Sequence, residues 1–277
     1  MSVAPPPRLF GIPATRAPIV AMLRRGPTEW SHIGRWDVAR GVYEPGAWIR
    51  ANLYPQRCDV SPDGRWLCYF TLKMPGRWKA GSTYVAISRL PWLSALAAWG
   101  TCGTWTRGAH FVDDPSVWSV GDPDEGDATP CRRKFGLVAT RPASFAVERR
   151  RGWTETPDSP PRAANDMWDE RRTVTMEKAR PTRHGDVRLR VRGRFAAFRE
   201  GQSKDVVYET ATGDHISALD DAQWADWDAD GRLLVATRNG RLQIRELSAR
   251  GFRVVSETDA AAETPHPEAP PAEALRW

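Results

Sequence analysis

The side chains able to do chemistry are few and dispersed. Five histidines (His32, His110, His184, His215 and His266) are spread over 277 residues with no H-x-x-x-H pair, so the helical spacing of a metal site is missing. His110 has two carboxylates close by, Asp113 and Asp114. An imidazole with two carboxylates can bind a metal or exchange a proton with a substrate. This trio is therefore the candidate axial site of a hydrolase or lyase. A satisfied loop histidine beside solvated acids is the ordinary alternative, and no residue is assigned a catalytic role here. Asp122, Asp124, Glu125 and Asp127 bring oxygen ligands together, but Pro123 interrupts them and a calcium loop's spacing is lacking. No metal and no cofactor is expected. A G-x-S-x-G elbow and a glycine-rich phosphate loop are both missing from the sequence, which leaves acyl transfer and nucleotide binding without support.

Four cysteines, Cys58, Cys68, Cys102 and Cys131, lack C-x-x-C spacing. They read as reduced, partly buried thiols of a cytoplasmic protein. The longest apolar run, Leu90 to Trp99, is far short of the ~20 residues that span a bilayer.

Recognition is better represented than catalysis. Arg89, Trp92, Trp99, Trp105, Arg107 and Trp118 cluster in one stretch. About half of such a cluster belongs in a core, which leaves Arg89, Trp92, Trp105 and Arg107 as candidates for a partner-binding surface. Residues 131–199 carry 16 Arg and 2 Lys against 8 Asp and Glu, whereas the whole chain has a net charge of only +6. Within that region D-V-R-L-R-V-R alternates cleanly, so Arg188, Arg190 and Arg192 should face solvent from one strand. The expected partner is another protein, met through a face of the fold or through the basic side. A nucleic acid tracking the arginines of 131–199 is the alternative.

The elements that must position these residues are strands. C-D-V-S-P-D-G-R-W-L-C-Y-F (residues 58–70) and A-D-W-D-A-D-G-R-L-L-V-A-T (residues 225–237) each place an Asp-Gly turn before an apolar run. Glycine accepts the positive φ of such a turn and aspartate can bond its own backbone. Asp63-Gly64 and Asp230-Gly231 are thus hairpin turns. Upstream of each, Gly41 and Gly213 mark a further turn, so strand, turn, strand, linker and Asp-Gly hairpin recur in the same order. Asn239-Gly240 adds another hairpin signal.

A repeat of about 40 residues built from four strands is the sequence signature of propeller blades. S-P-D-G-R-W-L-C-Y-F closely resembles the strand-turn-strand signature of Tol-B-like and WD-repeat propellers, and D-A-D-G-R-L-L-V-A is a weaker version. With E-W-S-H-I-G-R-W-D-V and E-P-G-A-W, these segments make the chain similar to uncharacterised bacterial propeller-like proteins. That resemblance implies a fold and no activity. The expected fold is all-β and propeller-like, with about five blades, six or an incomplete ring remaining open. Residues 1–15 read as a flexible arm, 16–257 as the propeller-like domain with an irregular middle third over 100–170, and 258–277 as a disordered Ala/Pro/Glu tail. The function expected is that of a non-catalytic scaffold.

Overall fold

The computed structural model describes residues 7–26, 29–73, 81–101, 103, 108–113, 116–119, 126–138, 145–157, 159, 173–181, 187–195, 203–262, 264–266 and 269–277. Among them, 22 strands form five sheets that follow one another nearly in chain order. The first sheet is the meander β1 (Arg8–Pro13), β2 (Ile19–Arg25), β3 (Ser31–Asp37) and β4 (Val42–Ile49). The second holds β5 (Asn52–Leu53), β6 (Asp59–Val60), β7 (Trp66–Leu72), β8 (Thr83–Arg89) and β9 (Ala97–Gly100). The third comprises β10 (Ala109–Asp113), β11 (Ser116–Ser119) and β13 (Leu137–Val138), while the intervening β12 (Gly126–Asp127) returns to pair with β9. The fourth runs β14 (Thr154–Glu155), β15 (Thr173–Ala179), β16 (Val187–Phe195), β17 (Ser203–Thr212) and β18 (His215–Ala218). The fifth is a second four-strand meander, β19 (Ala222–Trp227), β20 (Leu233–Thr237), β21 (Arg241–Ser248) and β22 (Gly251–Asp259). Two short helices, α1 (Thr129–Phe135) and α2 (Ala146–Arg150), lie in the irregular middle.

Burial shows how the sheets are oriented. In the fifth sheet β20 is buried at every position, β21 alternates, and β22 is almost wholly exposed or half-exposed. In the first sheet β2 is buried at six of its seven positions and β4 is mostly not. A strand buried on both faces needs a sheet packed against each side, which is why I-V-A-M-L and L-L-V-A-T are continuous apolar runs rather than alternating ones. The middle strands therefore lie between neighbouring sheets and the fourth strands at the outside, as in propeller blades. Three cores fill the gaps between sheets. Met22, Leu189, Trp224 and Leu234 share the core joining the first, fourth and fifth sheets. Ile33, Val60 and Tyr69 belong to the core between the first and second, and Trp99, Phe111 and Cys131 to that between the second and third.

The matched turns occupy matched places. Asp63-Gly64 joins the first long hairpin of the second sheet, and Asp230-Gly231 does so in the fifth. Gly64 and Gly231 have φ of +71° and +72°, where a Cβ would be strained. The turns are closed from within: Ser61 Oγ accepts the Trp66 N–H at 2.9 Å, and Asp228 Oδ1 accepts Arg232 N–H at 2.8 Å. Gly41 and Gly213 turn between the third and fourth long strands of their sheets, and Asn239-Gly240 joins β20 to β21.

Two boundaries differ from the sequence reading. Residues 8–13, read as part of a loose arm, form β1, whose Leu9 and Ile12 are buried. The tail is also partly docked rather than disordered. Residues 272–275 make a turn of 3-10 helix with Ala274 fully buried, and Trp277 lies 5.6 Å from the Trp66 ring and 5.8 Å from Phe135. The physical reason is that Ala and Trp at the end of the tail find a ready apolar surface on a neighbouring sheet, a long-range contact that local composition does not register.

Candidate functional site

The second residue of each Asp-Gly repeat, Asp59 in β6 and Asp226 in β19, is buried. Each begins by accepting the N–H of the following residue, Val60 at 2.9 Å and Trp227 at 2.7 Å. That local bond holds both carboxylates in the same attitude. What they meet next differs. Asp59 Oδ1 takes Arg151 Nη2 at 2.7 Å, and Oδ2 takes the Phe111 N–H at 2.8 Å and the Arg150 guanidinium. Burial pushes the Asp59 carboxyl upward, but Arg151 and then Arg150 outweigh it and hold the group below the usual carboxylate range. Asp226 takes Lys178 Nζ at 2.5 Å and the Trp153 indole N–H at 3.4 Å.

The cations come from α2, its C-cap Arg151 and β15, and they tie these to β6 of the second sheet and β19 of the fifth. Arg151 also donates through Nε to the Pro13 carbonyl at 2.7 Å, so it reaches the first sheet as well. It is 5% exposed at the side chain.

Pro13 and Arg151 line two spaces. One is a funnel of about 610 Å³ between the loop 13–19, Arg150–Gly152, Lys178 and the turn 227–230 with Arg232. The other is a smaller cavity of about 100 Å³, lined by Phe10, Phe145, Trp153, Tyr208 and Trp224, with Glu148 and Asp226 also in its lining. The thiol of Cys58 also lines this cavity, and burial raises it to about 12. Cys131 is likewise raised to about 12 by burial, and Cys58, Cys68 and Cys131 are free thiols.

Of the catalytic and partner-binding candidates proposed from sequence, those among the described residues line neither space. His110 is buried, stacks on Trp118 at 5.9 Å with planes 7° apart, and lies close enough to Asp59 to help hold that carboxyl ionised. The Asp113 side chain and all of Asp114 fall outside the described residues, as do Asp122, Asp124, Glu125, Cys102, Trp105 and Arg107. Arg89 lies with its guanidinium 5.1 Å over the Trp66 ring, and Trp92 is half-buried at the turn after β8. Trp99 and Trp118 are core residues. Arg188, Arg190 and Arg192 do share one face of β16, but acids stand opposite them. Arg188 and Arg190 meet Glu177 at 3.3 and 2.9 Å, and Arg192 meets Glu209 at 3.7 Å. Arg194 meets Asp205. This strand is not an uncompensated basic stripe, because β15 and β17 bring carboxylates into register with it.

Asp59 and Asp226 were not singled out from sequence. Their signal was present: they occupy the same column of the two repeats, 167 residues apart, as do Gly64 and Gly231. Nothing local marked Arg150, Arg151 or Lys178 as their partners.

Five sheets following one another around an axis, with buried inner strands and exposed outer ones, define an all-β, propeller-like protein. No protein-family model matches the sequence, and no curated protein matches it. Among solved structures, the chain is similar to the β-propeller domain of the Trilobed protease from Pyrococcus furiosus, at 10% identity and a TM-score of 0.31, over 92% of this chain and 85% of that one. It is also similar to an uncharacterised protein of Listeria monocytogenes EGD-e, at 9% identity and a TM-score of 0.26, over 92% of this chain. It spans 55% of that protein's length. Among the described residues, no helix is long and apolar enough to cross a membrane.

Proposed function

We propose that the chain is a non-catalytic propeller-like module of the Tol-B or WD-repeat kind, which binds another protein in the cytosol at the mouth of the axial funnel. The observation that carries this reading is the contrast between floor and mouth. Behind the lining residues Arg150 and Arg151, Asp59 has four donors around its two oxygens, which fills the acceptor capacity of a carboxylate. An ionised acid with no lone pair to spare is a structural anchor and not a general base. The mouth is open and about 610 Å³ in volume. Its rim exposes Thr15, Arg16, Pro18, Ala39 and Asp230, a small patch of both charges and short side chains of the kind found at polar interface rims. Free buried thiols fit a reducing compartment.

The test is site-specific photo-cross-linking in the source cells. A cross-linker at Thr15 or Ala229 should capture one discrete protein, and excess unlabelled chain should compete it away. A cross-linker at Val255, on the exposed outer strand, should capture none. Adducts at Val255 with none at the rim would overturn the reading.

A further inference from the structure

The charges around the funnel are paired at two places and out of balance at a third. Arg232 meets Asp228 at 2.7 Å and Asp230 at 3.7 Å, and Lys178 meets Asp226 at 2.5 Å. Arg150 and Arg151 share a single carboxylate, Asp59, and among the described residues neither makes an ion pair with another acid. Two positive charges against one negative charge leave one positive charge in excess. The two arginines differ in what they have left to offer. Arg151 is 5% exposed and uses all three nitrogens, Nε on the Pro13 carbonyl, Nη1 on the Val147 carbonyl and Nη2 on Asp59. Arg150 bonds through Nη2 alone. Its Nε is buried with no partner, and its Nη1, which is not buried, has no acceptor among the described residues. Arg150 lines the funnel, with its side chain 23% exposed. A charge so far out of water and donors without acceptors both cost free energy. An anion in the funnel, bonded to Nη1, offsets the charge and satisfies a donor together.

We infer that the funnel holds a binding site for a carboxylate group, seated on Arg150. One excess positive charge matches the single charge of a carboxylate, whose plane and two oxygens fit a guanidinium. A phosphate dianion would bring more negative charge than Arg150 offsets, into a funnel that Asp228 and Asp230 also line. The space of about 610 Å³ takes a small acid or the end of a chain. The site goes beyond the protein-docking reading, because a carboxylate binds Arg150 whether or not a protein docks at the mouth.

Propionate and propionamide have nearly the same shape and differ in charge. In proton–nitrogen correlation spectra of the full chain, the buried Arg150 Nε–H gives a signal that Arg150→Lys removes. At constant ionic strength, propionate should shift that signal, and the backbone signals of Thr15 and Gly152 on the funnel wall, along a saturating curve. Propionamide should bind at least ten-fold more weakly, and inorganic phosphate at pH 8 no more tightly than propionate. Arg150→Lys keeps the charge but loses the planar group, and should weaken propionate at least three-fold at Thr15 and Gly152. Equal binding of acid and amide, no saturation by propionate, tighter binding of phosphate, or an unaltered propionate affinity in Arg150→Lys would each overturn the inference. Acetyl-triglycine, whose one carboxylate is its terminus, separates the sources of the group. Tighter binding of this peptide than of propionate would assign the site to a partner's chain end, and the reverse to a free acid. The comparison of acid with amide uses only the wild-type chain, so it stands even if the variant folds poorly, and it fails independently of any protein captured at the rim.

Discussion

At the residue scale, Asp59 is the side chain on which most of the axis depends. It is fully buried and is the counter-charge of two arginines. Removing one member of a buried ionic group leaves the others without compensation, at about 3–5 kcal/mol. Asp59→Asn should therefore lower the melting temperature by many degrees, even though the volume hardly changes. The pH dependence has a definite sign. The folded-state carboxyl is held below its ordinary value, so the stabilisation is present above about pH 4, the unfolded value, and is lost as pH falls through the folded one. Urea titrations at a series of pH values should show wild-type stability declining below about pH 4. The same limb should be flatter in Asp59→Asn. An identical acid limb in both proteins would mean that Asp59 titrates alike in the folded and unfolded chains.

At the element scale, two segments do more than their composition announces. The end of the tail rests on the second sheet and α1 through Trp277 and the buried Ala274. Trp277 is half-buried, so Trp277→Ala should cost about 1–3 kcal/mol, read as a lower midpoint in thermal or chemical unfolding. An unchanged midpoint would mean that the indole adds no packing energy. The β16 arginines behave in the opposite way to a free basic patch. Glu177 and Glu209 stand across from them on β15 and β17. Reversing Arg188, Arg190 and Arg192 to Glu would then set like charges in opposing register. The triple variant should lose about 1–2 kcal/mol in urea unfolding, mostly at Arg190, since pairs open to solvent contribute little. A fully neutral triple reversal would show that these pairs are not populated in solution.

At the scale of the whole molecule, the first and fifth sheets meet by packing and, among the described residues, share no strand. The first and fifth sheets are each built from one continuous segment. Their join is made where Leu9 N–H meets Gln223 Oε1 at 2.9 Å and where Gly11 lies against the Trp224 ring. A Cβ on Gly11 would come within 2.6 Å of that ring, so the absence of a side chain is what lets the first sheet approach the last. Gly11→Val should destabilise by about 1–3 kcal/mol, since overpacking a buried join forces strain into both elements. Hydrogen exchange should rise first in β1 and β19 if this join is where the ring opens. Faster exchange confined to the second or third sheet would place the weak point elsewhere.

What the sequence by itself determined was the local chemistry of turns and the two-sided burial of the middle strands. An Asp-Gly pair fixes a turn through glycine's positive φ and aspartate's bonds to nearby backbone, all within a few residues. A run such as L-L-V-A-T identifies a strand covered on both faces without knowledge of what covers it. Even the axial acids were legible as one column of the repeat. Tertiary structure alone decided their partners. Asp59 finds Arg150 and Arg151 about 90 residues away, and Asp226 finds Lys178 across two sheets. It alone decided that the β16 arginines face acids, that Trp277 docks, and that five aromatic residues far apart in sequence share one cavity. Charge pairing and packing depend on distance in space. In a ring of sheets that distance is set by how the blades close around the axis, which no local pattern encodes.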